Sequence, residues 1–325
     1  MKLTIKLTIL ILLLYSCDVA SQHIENPKLS KELIGIRSTD KKLRKKWAKM
    51  ASSGKTDHPK FKTLTNKIIA SDSNNTERLK VIIGKYGWPT YSLVGKKASV
   101  GAWLIAQHSD RDPLFQIKCL PLLKEAADKG EADPVNYAFL YDRVAVFKGI
   151  KQLYATQSST NNGITKGSFQ PIEDEANVQN RRAVMGFDLH VETYAQQYGF
   201  NYKIPTKEEA IQRSNAFEKA YSKNVQKAKQ AMIYKNYDEA VTYYLEALKS
   251  NGSIKTEDYI NTARACSLSK HEESNWASFY LVKAIMNGHR NGQEFLSDSD
   301  FNYIKKVSPR NWAYLKKVIQ ETSSK

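Results

Sequence analysis

Apolar residues recur at steps of three and four along most of this chain, and that spacing leaves little room for any fold but a helical one. Leu29, Leu33, Ile36, Leu43, Trp47 and Met50 mark the first stripe. Such steps put side chains on one face of a helix, whereas a half-buried strand alternates every second residue. The missing position on this stripe is Asp40. An acid on an apolar face must find a partner or stay uncharged, and Arg44, four residues on, is placed to pair with it. Gly35 weakens the helix locally.

Further along, Leu64, Ile68 and Ile69 predict a short helix. Asn75 or Thr76 is placed to cap another, which carries Leu79, Ile82 and Ile83. Gly87 should stop it in the left-handed conformation, and Pro89 bars its continuation. Ala98, Gly101, Ala102 and Ile105 form a small-residue stripe, so the next helix should pack closely in the core. It delivers Gln107-His108-Ser109-Asp110 at its C-terminal end, where the helix dipole favours a protonated His108. Asp112-Pro113 and Asp133-Pro134 are two helix starts, with an acidic N-cap and proline at the first helical position. Pro121 should kink the first of these helices. The second puts Asp142 on the same face as Val135, Ala138, Phe139 and Val146, with Arg143 beside it.

After Gly149 the texture alternates. Gln152, Tyr154 and Thr156 predict one face of a short strand, Asn161-Asn162-Gly163 a turn, and residues 169–172 a returning strand. Arg181 and Arg182 precede Gly186, and Asp188 is placed to cap a helix ending near Tyr198.

From about Lys207 the pattern is purely helical. Ala228, Ala231, Ala240, Tyr244 and Ala247 fall where two antiparallel helices need small residues facing each other and a bulky one filling the gap. This spacing resembles a tetratricopeptide repeat. A weaker unit follows, with Tyr259, Ala263 and Cys266 on its first helix and Ala277, Leu281 and Ala284 on its second. Asp298, Asp300, Phe301 and Trp312 belong to a capping segment. The helix around residues 216–221 and the N-terminal domain should cover the other end. The resemblance implies contact with a protein or peptide partner, and a structural buttress is the alternative.

The N-terminus suggests where the chain works. Lys2 and Lys6 precede a Thr8–Leu14 run too short to span a bilayer. Leu14-Tyr15-Ser16-Cys17 then resembles a bacterial lipobox, in which a signal peptidase cuts before the cysteine and the cysteine carries lipid. The expected organisation is a signal peptide over 1–16, a tether over 17–29, a mainly helical domain over 30–200 and a tetratricopeptide-like array over 207–322. The expected location is the bacterial cell envelope, with lipidated Cys17 in a membrane. The net charge of +17 invites a nucleic-acid reading. Export argues against it, and so does the spread of lysines over the whole chain, so no nucleic acid is expected as partner. The dense Lys41–Lys49 run is read as a solvated helix face, or as a contact with anionic lipid or polysaccharide. Cys119 and Cys266 fall among apolar residues in different predicted domains and read as small buried hydrophobes. Oligomeric state is left open.

Taken in order, Gly87-Trp88-Pro89, Gln107-His108-x-Asp110, Gln116, Asp142-Arg143, Gln152-x-Tyr154-x-Thr156-Gln157, Arg182 and Gly186 resemble a bacterial domain family of unknown function. The family reads Tyr-Gly-Thr-Gln where this chain has Ala155, and a glycine there would let a ligand approach the backbone. The resemblance implies that His108, Asp110, Gln116, Asp142, Arg143, Gln157 and Arg182 belong together. Three roles are open to such a set. In a hydrolase or transferase, His108 exchanges a proton, Asp142 orients it, and Arg143 or Arg182 holds negative charge. In a binding module, Asp110, Gln116, Gln152, Tyr154, Gln157 and Arg182 recognise a peptide or glycan. In a structural network, Asp40, Asp142 and the arginines form buried ion pairs. No Gly-x-Ser-x-Gly, phosphate loop or two-cysteine motif is present. His108-x-Asp110 offers two metal ligands without a third, so no metal or other cofactor is expected.

Overall fold

The computed structural model describes residues 23–161, 164–250, 252–272 and 274–323. Cys17 and the lipobox-like segment lie outside the described residues. No helix among those residues is long and apolar enough to cross a membrane. The fold is mainly α, with one small antiparallel sheet.

The first layer holds α1 (Pro27–Ser52), α2 (Pro59–Tyr86), α3 (Tyr91–Val94), α4 (Lys96–Gln107), α5 (Pro113–Asp128) and α6 (Pro134–Lys148). Four of these begin alike. Pro27, Pro59, Pro113 and Pro134 each open a helix, and the side chains of Asn26, His58, Asp112 and Asp133 accept an early backbone N–H. Proline suits that position because its missing N–H would have had no helical partner. Leu33, Leu79, Ile82, Ala98, Ala102, Cys119, Leu123 and Leu140 form the core between the helices.

The expected break near residue 75 is absent, and α2 runs unbroken from Pro59 to Tyr86. Instead of capping a new helix, the Thr76 hydroxyl donates back to the Asp72 carbonyl at 2.7 Å and meets the Ser109 hydroxyl at 2.8 Å. The inward members of the polar run over 71–76 bond to other elements, Asp72 to Arg44 of α1 and Thr76 to Ser109 just after α4, rather than pack as hydrocarbon. The small-residue stripe of α4 does lie against α1. A Cβ added at Gly101 would sit 2.6 Å from the Leu33 carbonyl oxygen.

The expected strand over Gln152–Gln157 is a loop of bends, tied to Ile172 by an isolated parallel bridge at Gln152. The hairpin comes later, as β1 (Ser158–Asn161) and β2 (Ile164–Phe169), with Ser158 opposite Phe169. The returning strand therefore ends at Phe169, where the sequence reading had it begin. After it come α7 (Val178–Val184) and α8 (Val191–Gln197). Asp188 does not cap α8; the Gln179 side chain accepts the Val191 N–H at 2.9 Å. Phe169, Ile172, Val178, Val191, Tyr194 and Phe200 form a second core.

The C-terminal part holds α9 (Lys207–Ile233), α10 (Tyr237–Lys249), α11 (Thr256–Ser269), α12 (Ser274–Met286), α13 (Glu294–Ser297), α14 (Asn302–Val307) and α15 (Pro309–Ser323). The region around 216–221 belongs to the single long α9. Helices α9 and α10 pack as one hairpin and α11 and α12 as another. Ala228, Ala231, Ala240, Tyr244, Ala247, Ala263, Ala277, Leu281 and Ala284 are all buried at the crossings. Phe295, Phe301 and Trp312 close the array, and Arg264 bridges Asp298 and Asp300, both at 3.0 Å.

The two parts clasp each other at helix ends. Asn287 and the Tyr259 hydroxyl donate to the Lys148 carbonyl at the end of α6, at 2.6 and 3.4 Å. At the start of α5, the Tyr314 hydroxyl accepts the Leu114 N–H at 3.0 Å and donates to Asp112 at 3.2 Å. Helix termini carry unsatisfied backbone groups, and here the other part of the chain satisfies them.

The two helical glycines of α1 and α4 should behave oppositely. Gly101→Ala should lower stability by about 1–3 kcal/mol, because the methyl meets backbone that cannot rotate away. Gly35→Ala, which meets nothing within 4 Å, should raise it by about 0.5–1 kcal/mol. Urea denaturation of the two variants checks both signs.

Candidate functional site

The residues singled out by sequence fall into three separate groups. The first is built around Asp142, fully buried in α6. Its carboxylate accepts the N–H groups of Leu153 at 2.8 Å, Tyr154 at 3.1 Å and Thr156 at 3.0 Å, and the Thr156 hydroxyl at 2.9 Å. Burial pushes the Asp142 carboxyl up to about 6, against the pull of these donors. It is therefore ionised at neutral pH, and its charge is answered by backbone N–H groups and the Thr156 hydroxyl, with no ion pair to an arginine among the described residues.

The same loop is held from its other side. Arg181 donates to the Leu153 carbonyl and Arg182 to the Tyr154 carbonyl, both at 2.8 Å. Arg182 is fully buried, with its guanidinium 4.0 Å above the Phe187 ring and 5.0 Å from the Tyr194 ring. Gln152 accepts the Gln157 N–H at 2.9 Å and donates to the Gln157 and Gln170 carbonyls at 2.8 Å. The Gln157 side chain donates to Thr156 at 3.1 Å. The Tyr154 ring packs between Tyr141 and Phe187. Ala155 is buried with φ of +52°, in the left-handed region that glycine enters most easily. A glycine at this position would therefore meet a backbone need.

The second group sits at the end of α4. Arg143 pairs with Asp110 at 2.8 Å, and the buried Gln116 amide donates to Asp110 at 3.3 Å and to the Ala106 and Gln107 carbonyls. Arg143 follows Asp142 in sequence yet serves a different cluster, because adjacent residues on a helix point about 100° apart.

The third group contains His108. Its Nδ1 lies 3.3 Å from Asp40, Arg44 donates to Asp40 at 2.8 Å, and the same guanidinium reaches both oxygens of Asp72 at 2.8 Å. Burial pushes the Asp40 carboxyl up, but its hydrogen bond to His108 and the charges of His108 and Arg44 outweigh it and hold the group below its ordinary value. Asp72 lies above its ordinary value because burial there exceeds what Arg44 offsets. Asp72 was missed by the sequence reading. It occupies the stripe of Leu64, Ile68, Thr76 and Leu79, the same signal that marked Asp40, hidden once α2 was divided. Ligand atoms of Asp40, Asp72 and His108 lie within 4.8 Å of one another. Arg44 already bridges both carboxylates and supplies the positive charge that a cation would bring.

His108 and Asp110 open onto a cleft of about 490 Å³ between the two parts of the chain. One wall is formed by Asp72, Thr76 and residues 108–112, the other by Phe279, Arg310, Asn311, Tyr314 and Lys317. Asp142, Arg143, Gln152, Tyr154, Gln157 and Arg182 do not line it. A larger groove of about 740 Å³, between residues 167–177 and α9, contains none of the sequence-selected residues.

Asp142→Asn should cost about 3 kcal/mol or more, because the amide keeps one acceptor oxygen and turns a donor toward backbone N–H groups. Thermal unfolding of the variant measures it. Asp40, whose folded value is depressed, contributes stability that is present above its ordinary value and lost as pH falls through the folded one. Asp40→Asn should therefore be less stable than the parent near pH 6, with the difference shrinking below about pH 4. Urea denaturation across that range checks the sign.

No curated protein and no solved structure matches the chain. The family described as "Family of unknown function (DUF6624)" matches residues 27–205, ending two residues before α9 begins. That match takes in α1 to α8, with the Asp142-held loop and the His108 cluster inside it, and the chain belongs to this family of unknown function.

Proposed function

We propose that the protein is a binding protein of the bacterial envelope, anchored through lipidated Cys17, that holds an acidic protein, peptide or glycan partner in the cleft between its two parts. The observation that carries this reading is a pair of unpartnered arginines. The acids lining the cleft are all taken: Asp72 by Arg44, Asp110 by Arg143, Glu77 by Lys80, and Asp112 by Lys80 and Lys317. Arg111 and Arg310 form no ion pair among the described residues and stand exposed at the rim. Partial desolvation and the charge of Arg310 outweigh the nearby charge of Asp72 and push the Arg111 guanidinium below its ordinary value. Two neighbouring guanidinium groups with no carboxylate in ion-pair contact attract one from a partner, with fork geometry suited to bidentate contact. The small-residue crossings of α9 to α12 support the tetratricopeptide-like reading, and stacked helix pairs of that kind present extended partner surfaces.

One observation favours a second reading. The His108 ring is oriented through Nδ1 by Asp40, lines the same cleft, and makes no protein hydrogen bond through Nε2 among the described residues. That is the arrangement of a general acid/base in a hydrolase or transferase acting on an envelope substrate.

Calorimetry with a panel of acidic peptides and carboxylate-bearing envelope glycans separates these readings. The parent should bind at least one probe. The Arg111→Ala/Arg310→Ala variant should bind it about tenfold more weakly with unchanged folding, and added salt should weaken the parent's binding. Equal binding by the variant rejects the cleft. Turnover of the bound probe that disappears in His108→Ala establishes the catalytic reading.

A further inference from the structure

A separate pocket of about 280 Å³ opens where the end of α6 meets the helical array. Leu245, Leu248 and Ile254 form its apolar side. Its charged lining residues are Lys151, Lys249 and Lys283, and no carboxylate is among them. Two of these lysines are ordinary: Lys249 is exposed, and Lys151 reaches the Ser214 hydroxyl at 3.4 Å.

Lys283 is different. It lies in the last turn of α12, largely buried, with its ammonium 5.4 Å from the Phe147 ring centre and 5.6 Å from that of Tyr259. It has no ion pair and no hydrogen bond from its ammonium among the described residues. Ring faces attract a cation, but they replace only part of the hydration that burial removes. Burial accordingly pushes the ammonium down to about 8, so it is still charged near neutral pH. The carbonyl of Lys148 at the end of α6 accepts from Asn287 and Tyr259, and the C-terminal end of α12 offers Lys283 a favourable dipole but no paired carboxylate. A methionine would pack the same space without that cost, so packing alone does not account for a lysine here.

We infer that this pocket binds a small organic monoanion, a carboxylate with a short apolar body, whose carboxylate pairs with Lys283 and whose body lies against Leu245, Leu248 and Ile254. The all-positive lining sets the sign of the ligand. One buried ammonium matches a single negative charge. A phosphate dianion is usually met by arginine forks or several backbone N–H groups, and no arginine lines this pocket. The other titratable groups facing it are Lys151, Lys249, Tyr259 and Tyr280. Tyr259 stays neutral, since burial holds its hydroxyl above the ordinary value.

The probes are octanoate, benzoate and inorganic phosphate, each titrated calorimetrically into the whole chain. Octanoate or benzoate should bind saturably near pH 7, and about tenfold more weakly near pH 9.5, where Lys283 has lost its proton. Lys283→Met should weaken binding by about tenfold or more, and Lys249→Met by less than about threefold. Lys283→Met removes an unpaired charge, so its melting temperature should equal or exceed the parent's. Should that variant fold poorly, NMR of ¹³C-dimethylated lysines in the parent decides the matter: one resonance should titrate well below the others and move to higher pH when octanoate is added. Absence of saturable binding by both carboxylates overturns the inference. So does equal binding by a folded Lys283→Met, or a dimethyl-lysine spectrum that octanoate leaves unchanged. Phosphate binding as tight as octanoate overturns the carboxylate assignment.

Discussion

A single ionised carboxylate organises the N-terminal domain. Asp142 is fully buried and forms no ion pair among the described residues, so the loop over residues 153–156 turns its N–H groups inward to keep the charge satisfied. That demand bends the chain out of strand geometry and forces Ala155 into the left-handed region. It also leaves the Leu153 and Tyr154 carbonyls facing away, where Arg181 and Arg182 collect them. Buried polar groups in such a network are costly when any member is missing, so each one depends on the rest.

Asp112 plays a comparable role between the two parts of the chain. It caps α5 through the Phe115 N–H, pairs with Lys80 of α2 at 2.6 Å, and accepts from Tyr314 of α15. A residue that begins as a local helix start thereby sets how the C-terminal helices lie against the N-terminal ones. The Arg111–Arg310 cleft follows from this clasp, since its two walls come from the two parts. At a second contact, Asn287 and Tyr259 close the end of α6, and the Lys283 pocket opens beside it.

Charge in the molecule follows burial more than sequence position. In the Lys41–Lys49 run, Arg44 and Trp47 turn inward, Arg44 to Asp40 and Asp72, Trp47 onto Phe61 and the Thr65 hydroxyl. The lysines of the run remain exposed. Lys283, inconspicuous in sequence, is a cation in a desolvated place with no ion pair among the described residues, and unlike the buried Arg182 it has no carbonyl to donate to.

Helical periodicity, acid-proline starts and small-residue crossings were legible in the sequence because each is a local cause. Capping, proline geometry and i to i+4 spacing act within one or two helical turns. The Asp40–Arg44 pair and the buried alanines of α9 and α10 follow from such spacing alone. The continuity of α2, the true place of the hairpin and the separation of His108 from Asp142 were decided only by tertiary structure. In each case a polar side chain found its partner in another element: Thr76 on Ser109, Asp142 on the 153–156 amides, Arg143 on Asp110. Sequence order carries no direct measure of such distances, because side chains adjacent on a helix point to different neighbours and partners can lie a hundred residues away.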